Sequence, residues 1–306
     1  VETLPNGLRV AVVELPHLQS AHISVMVKGG PRYETERTHG LSHFHEHMMF
    51  RGCGPLANTH QMARAAEKFL GSLDGATYRD HVVYGTTFRP DRAADAVMLM
   101  GQMMQRPRYE GLSVEKKVLL EEISECFDEK GREIEIDNIA RALMFPGNAA
   151  GHSIDGHPAT VRRFARADLR RHHDTFYCGS NMVVTIAGPV DCAATMRAVK
   201  RGFGGLPRGV CAVPDDGAPL PRNGPAVKFV SHAGSQAQLR ISFAAFGHTD
   251  PRAQPLQLIR RVLDDGFTTR FQSELVDKRG LAYEMWADVD LFDDCGTVEF
   301  GASVTH

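Results

Sequence analysis

The segment His43-Phe44-His45-Glu46-His47 places two histidines four residues apart, with a glutamate directly before the second. On an α-helix, positions three and four apart share a face, so His43, Glu46 and His47 point at one spot while Phe44 and His45 turn away. Neutral imidazole is a good ligand for zinc, and a carboxylate that does not itself ligate can take a proton from an attacking water. The pattern therefore describes a metal site that carries its own general base. A histidine pair on a helix can also be a solvated face, or two core side chains bonded to backbone carbonyls. A catalytic zinc site normally takes three protein ligands, so a third donor has to arrive from another element.

The order H-x-x-E-H reverses the H-E-x-x-H of thermolysin-like enzymes. A donor for the third position is offered by the stretch from Ser113 to Glu125, which the spacing predicts as a helix, with Ser113 as N-cap and Val114, Val118, Leu119 and Ile123 recurring at helical intervals. Glu115 and Glu122 lie nearly two turns apart and so fall on one stripe, one suited to ligation and the other to support; Glu121 and Glu125 point elsewhere. The alternative is that all four glutamates are solvated charges balancing Lys116 and Lys117.

These elements together resemble the inverted-motif zinc peptidases that include pitrilysin, insulin-degrading enzyme and mitochondrial processing peptidase. The resemblance rests on four ordered blocks. They are residues 28–53 around the histidine motif, the glutamate helix, the stretch Leu73-Asp74-Gly75-Ala76-Thr77 through Tyr84, and the stretch from Phe176 to Gly188. It implies a zinc ion, one per chain, held by His43, His47 and Glu122, with Glu46 as the catalytic base and Glu115 supporting the site. It also implies that substrate peptide lies along an edge strand at Asp74, Gly75 and Ala76, where main-chain hydrogen bonds give affinity with little sequence demand. The family's asparagine in that strand is Asp74 here, which removes an amide donor and adds charge.

The implied fold is α+β, with two homologous α/β sandwich domains, each a mostly antiparallel sheet covered by helices. The expected order is strand (8–15), strand (22–28), helix (38–51), helix (59–70), strand (74–79), strand (82–88), helix (93–105) and the glutamate helix. After residue 220 it restarts as strand (226–230), strand (237–246), helix (252–264), helix (269–278), strand (282–289) and strand (296–304), an internal duplication with little surviving identity. Residues 1–210 are expected to form the zinc-bearing domain and 220–306 a second copy, joined by a Pro, Gly and Asp-rich linker over 207–225. The second copy has Leu256 to Leu263 where the first has its histidine helix, so no metal site is expected there. The resemblance implies a further pair of helices after His306, so the second copy is expected to be truncated relative to the family.

In active two-half members of the family the opposite half supplies an arginine and a tyrosine, seven apart, that hold the substrate carbonyl. Tyr283 matches the tyrosine, but the arginine position is Val276, and Arg270 and Arg279 are off register. A valine cannot stabilise a developing oxyanion. The expectation is thus a zinc endopeptidase working on peptides or unfolded segments as the metal-bearing subunit of a heterodimer, whose homologous partner supplies the Arg/Tyr pair. A homodimer and a noncatalytic assembly subunit of the same fold are the alternatives.

Composition narrows the setting. The 306 residues carry a net charge of -2, which is no nucleic-acid signature, and no run of 18 apolar residues that would span a membrane. A soluble protein of the bacterial periplasm or cytoplasm, rather than of an organelle, is expected. The first residue is Val, as in a processed or trimmed chain whose targeting segment would be invisible. The six cysteines have no framework spacing and are expected as free thiols. His152, His157, His172 and His173 are expected in surface or capping roles, and Met98, Met100, Met103 and Met104 as core filling.

Overall fold

The computed structural model describes residues 1–305 apart from 70, 216, 218–223, 232 and 233. The expected ends of the second helix at Leu70 and of the chain at His306, and much of the 207–225 linker, lie outside the described residues. The chain divides into two compact units. Val1–Ile123 and Ile154–Asp215 form the first, Ser124–Ser153 and Asp216–His306 the second.

The first unit contains strands β1 (Glu2–Thr3), β2 (Arg9–Glu14) and β3 (Ala21–Lys28), helices α1 (Leu41–Met49) and α2 (Thr59–Glu67), then β4 (Asp74–Thr77) and β5 (His81–Phe88). Helices α3 (Ala93–Gln105) and α4 (Leu112–Ser124) follow, the latter running to the edge of the unit. Its sheet has the order β1-β2-β6-β3-β5-β4, where β6 is Met182–Gly188. Every pairing is antiparallel except β2 with β6. Period-two alternation sets the faces: Ala21, Ile23, Val25 and Val27 of β3 and Val82, Tyr84, Thr86 and Phe88 of β5 are buried, while His22, Ser24, Met26, Val83 and Thr87 between them are more exposed. Strand β4 is the edge expected from the sequence.

Helix α1 begins at Leu41 rather than at the expected Thr38. Gly40 has a left-handed backbone, φ 90°, which no helix can propagate through, so Thr38 to Gly40 form a turn. The exposed amides at this end are satisfied from a distance. The Glu34 carboxylate accepts from Gly40 N at 2.7 Å and Ser42 N at 2.6 Å. Complete burial pushes the Glu34 carboxyl up to about 7 even though these amides pull it down.

Helix α4 also differs from expectation at its start. It opens at Leu112, and the carbonyl of Gly111, not a Ser113 side chain, receives the first helical bonds, from Val114 N and Glu115 N. Of the four predicted apolar positions only Leu119 and Ile123 are buried; Val114 and Val118 are exposed, and Glu115 takes the inward place beside them. Glu115, Leu119 and Ile123 recur every four residues and so share the inward face, on which Glu115 meets the partners described below.

Behind the sheet, α3 buries Met100, Met103 and Met104 as expected. Short helix α6 (Pro158–Val161), α7 (Arg166–Phe176) and α8 (Cys192–Phe203) complete the unit, α7 against α1 and α8 against α3.

The second unit holds α5 (Ile136–Met144), β7 (Ala237–Ala245), α9 (Ala253–Leu263), a π-helical segment Gln272–Asp277, β8 (Glu284–Leu291) and β9 (Gly296–Val304). Its sheet is antiparallel with order β7-β9-β8. The expected strand at 226–230 is not formed: these residues have no ladder partner, and Val227 and Phe229 stay exposed. The π-helical segment replaces the longer helix expected over 269–278. Buried charges are paired here. Glu299 receives Arg141 at 3.5 Å, Arg240 at 3.4 Å and the Ser242 hydroxyl at 3.1 Å, while Arg141 also reaches Asp290 at 2.9 Å and Arg240 meets Asp137.

All six cysteines are free thiols, with Cys53, Cys178 and Cys295 buried. Among the described residues no helix is long and apolar enough to cross a membrane.

Candidate metal centre

Helices α1 and α4 bring the three expected donors together. His43 Nε2 and His47 Nε2 lie 3.2 Å apart, and the Glu122 carboxylate sits 3.9 Å from the first and 3.6 Å from the second. Donors at bond lengths of about 2.0–2.2 Å around a tetrahedral zinc are spaced roughly 3.3 Å from one another. The set of two imidazoles and one carboxylate fits that ion in both chemistry and spacing. Two ring nitrogens facing each other this closely otherwise have only one proton to share or a repulsion to bear.

Burial and the neighbouring charges act in opposite directions on the two imidazoles. Burial, then the nearby charge of His47, pulls His43 down to about 3, so its imidazole is neutral. For His47 burial acts downward, but the hydrogen bond to Glu115 and the charges of Glu46, Glu122 and Glu115 outweigh it, and the net shift is upward. His47 Nδ1 lies 3.0 Å from Glu115 Oε1, so the ring donates from Nδ1 and leaves Nε2 for the metal. Glu115 is 7 % exposed and is also held by Arg51, one helical turn after His47. Burial would raise its pKa, yet the His47 and Arg51 hydrogen bonds win and keep it ionised.

Glu46 lies on the same helix but outside this trio of donors. It is 8 % exposed, and burial lifts its carboxyl to about 7; His47 opposes the shift, and Glu122 and Glu115 add to it. A carboxyl poised there exchanges protons readily near neutrality. A cavity of about 360 Å³ opens beside it, lined by Glu46, His47, Phe50, Arg51, Thr59 and Glu115.

Strand β4 carries Asp74, Gly75 and Ala76, all exposed, and pairs on one side with β5. A Cβ on Gly75 would stand 2.6 Å from Glu46 Oε1 and 2.8 Å from the Phe50 ring, so a side chain here would displace one or both, and glycine lets the edge strand pass close to the carboxylate as it stands. Tyr283, in the second unit, is 82 % exposed, and Val276 lies in the π-helical segment.

Two features escaped the sequence reading. Arg51 was visible one turn from His47 and could have been matched to Glu115 by sign. The second is a buried polar cluster behind α1: His45 bonds the hydroxyls of Tyr177 at 3.1 Å and Tyr109 at 2.8 Å, and Tyr177 bonds Tyr84 at 2.5 Å. His172 and His173 pack their rings against His45, so neither is the expected surface residue; burial holds both below their ordinary pKa. His157 does act as a cap, accepting from Ala159 N at 3.2 Å.

Comparison with known proteins identifies the family. Residues 9–154 match the family described as insulinase (peptidase family M16), and residues 163–306 match the peptidase M16 inactive domain. An uncharacterized zinc protease of Mycobacterium tuberculosis is 30 % identical over 98 % of this chain and 69 % of its own length. The mitochondrial-processing peptidase subunit beta of Blastocladiella emersonii is 32 % identical over 68 % of this chain and 45 % of its own. Among solved structures, a protease from Helicobacter pylori superposes with a TM-score of 0.88 at 19 % identity, covering 99 % of this chain and 74 % of that one. Pitrilysin does so with 0.74 at 18 %, covering 99 % and 33 %. The α+β fold with its two domains of this type, the histidine helix and these matches over nearly the whole length place the chain in peptidase family M16.

Proposed function

We propose that the chain is a zinc-dependent endopeptidase acting on peptides or unfolded polypeptide segments, with one zinc per chain held by His43, His47 and Glu122. The observation that carries this reading is the convergence of three ligand-type side chains from two helices, with a separate buried carboxylate on the same helix face. Zinc bound there would acidify a water toward pKa ~7 and polarise the scissile carbonyl. Glu46 takes the proton of the attacking water and delivers it to the departing amine. Glu115 fixes the His47 ring through Nδ1, and Arg51 fixes Glu115 in turn. Peptide adds as a strand along Asp74, Gly75 and Ala76, within reach of Glu46 because Gly75 carries no side chain.

The zinc-bearing domain of this proposal covers 1–210, and the homologous domain without a metal covers 220–306. Val276 in place of arginine supports a heterodimer, in which a homologous subunit supplies the Arg/Tyr pair and Tyr283 plays a lesser part. Bacterial relatives favour a bacterial compartment over an organelle. Removing one oxyanion donor slows an enzyme by ~10²–10³-fold. The zinc-loaded chain alone should therefore cleave a quenched fluorescent peptide slowly, and titration with a homologous metal-free subunit should raise kcat by about that factor. Ordinary turnover by the isolated chain, unchanged by the partner, would refute the division of labour.

A further inference from the structure

Each metal-binding imidazole has a second nitrogen that must go somewhere. For His47 it goes to Glu115. For His43, which is 7 % exposed, Nδ1 is buried and makes no hydrogen bond. An unsatisfied buried ring nitrogen is unfavourable, and more so once Nε2 ligates a metal, because the proton must then sit on Nδ1. The nearest anionic group is Asp155, whose Oδ1 lies 3.5 Å from that nitrogen. A closure of about 0.5 Å brings the pair within ordinary hydrogen-bond length.

The segment carrying Asp155 is fastened to the start of α1. Gly40 and Gly156 touch backbone to backbone: a Cβ on Gly40 would stand 2.7 Å from Gly156 Cα and 2.9 Å from Asp155 O. Both glycines have positive φ, 90° and 83°, so neither position accepts a side chain without strain. Thr160 Oγ1 lies 2.7 Å from both His39 O and His157 O, so its single proton is shared between a tie to the α1 stretch and one to its own turn. Asp155 is thereby held at a set distance from the first turn of the histidine helix, although 112 positions separate it from His43 in sequence.

We propose that Asp155 is a positioning residue for the metal site, accepting a hydrogen bond from His43 Nδ1 and so holding Nε2 toward His47 and Glu122. The inference rests on the zinc reading above. It gives each histidine its own carboxylate, Glu115 for His47 and Asp155 for His43, delivered from different elements.

The test uses the whole chain. Zinc dissociation constants are measured by competition with a chromophoric chelator for the wild type, Asp155→Ala and Asp155→Asn, and thermal melting of the metal-free proteins checks folding. Outer partners of metal-bound histidines are worth roughly 10–100-fold in metal affinity. Asp155→Ala should weaken zinc binding by about that factor, and Asp155→Asn, which keeps an acceptor oxygen, should recover part of it. In zinc-loaded protein with 15N-labelled histidine, the His43 Nδ1 proton should resonate downfield, exchange slowly with water, and be lost in Asp155→Ala. Should the alanine variant not fold, the asparagine variant and the wild-type proton resonance decide. Unchanged zinc affinity in Asp155→Ala with an unmoved His43 resonance, or a wild-type resonance that shows no hydrogen bond, overturns the proposal. A wild type that takes up no zinc overturns the metal-site reading itself, and this inference with it.

Discussion

Glu46→Gln is expected to keep zinc bound and to lower kcat for peptide hydrolysis by ~10²–10⁴-fold, the range that a positioned general base contributes. The substitution keeps the size and shape of the side chain, exchanges one acceptor oxygen for an amide NH2, and removes the charge and the ability to take a proton. Glu46 is buried, lies outside the ligand trio, and faces the edge strand through the gap left by Gly75. Its loss should therefore appear in kcat, with KM and zinc content little changed. Steady-state kinetics beside elemental analysis separates the outcomes. A variant that retains zinc and cleaves at the wild-type rate would remove Glu46 from the reaction.

Glu115→Ala should act through the metal. The carboxylate joins His47 Nδ1 at 3.0 Å to Arg51, and is itself nearly buried. Its removal frees the His47 ring to rotate and leaves the Arg51 guanidinium short of a partner. Zinc affinity should fall by roughly 10–100-fold. Folding stability should also drop, by about 1–3 kcal/mol for the uncompensated polar groups. Chelator competition and chemical denaturation of the metal-free protein read the two effects separately. Because the fault is in holding zinc, saturating metal should restore much of the activity to Glu115→Ala, whereas no zinc concentration should rescue Glu46→Gln. Wild-type zinc affinity in Glu115→Ala would show that His47 is oriented by something else.

Much of the site was legible because its residues sit at helical intervals on two helices. His43, Glu46 and His47 share a face by periodicity alone, and Glu115 and Glu122 share a stripe for the same reason. Which glutamate ligates and which supports came from the family resemblance; in the structure Glu122 lies 3.9 and 3.6 Å from the Nε2 atoms of His43 and His47, and Glu115 lies 3.0 Å from His47 Nδ1. Strands β2, β3 and β5 were readable as strands from the sequence, β6 and the edge position of β4 from the resemblance, and the two-residue β1 was not foreseen. What stayed hidden depends on tertiary proximity. Asp155 reaches His43 only because two glycines allow a backbone contact, and nothing local to Asp155 marks it. His172 and His173 pack with His45 in a cluster that also takes Tyr84 from β5, Tyr177 from the end of α7 and Tyr109 from the loop before α4, which no spacing rule reports. Val114 and Val118 looked like an inward face, but the buried stripe is Glu115, Leu119 and Ile123, and Glu115 is paired there with His47 and Arg51. The stretch 226–230 has strand-like composition, and composition does not supply a ladder partner.

Zinc content of the purified chain by plasma mass spectrometry, beside a His47→Ala control, tests the central claim most directly. About one zinc per chain, lost in the control, is expected of a tetrahedral site with three protein ligands. A wild-type chain that holds no zinc after reconstitution would contradict the claim, and would make a noncatalytic subunit that keeps the fold the leading account.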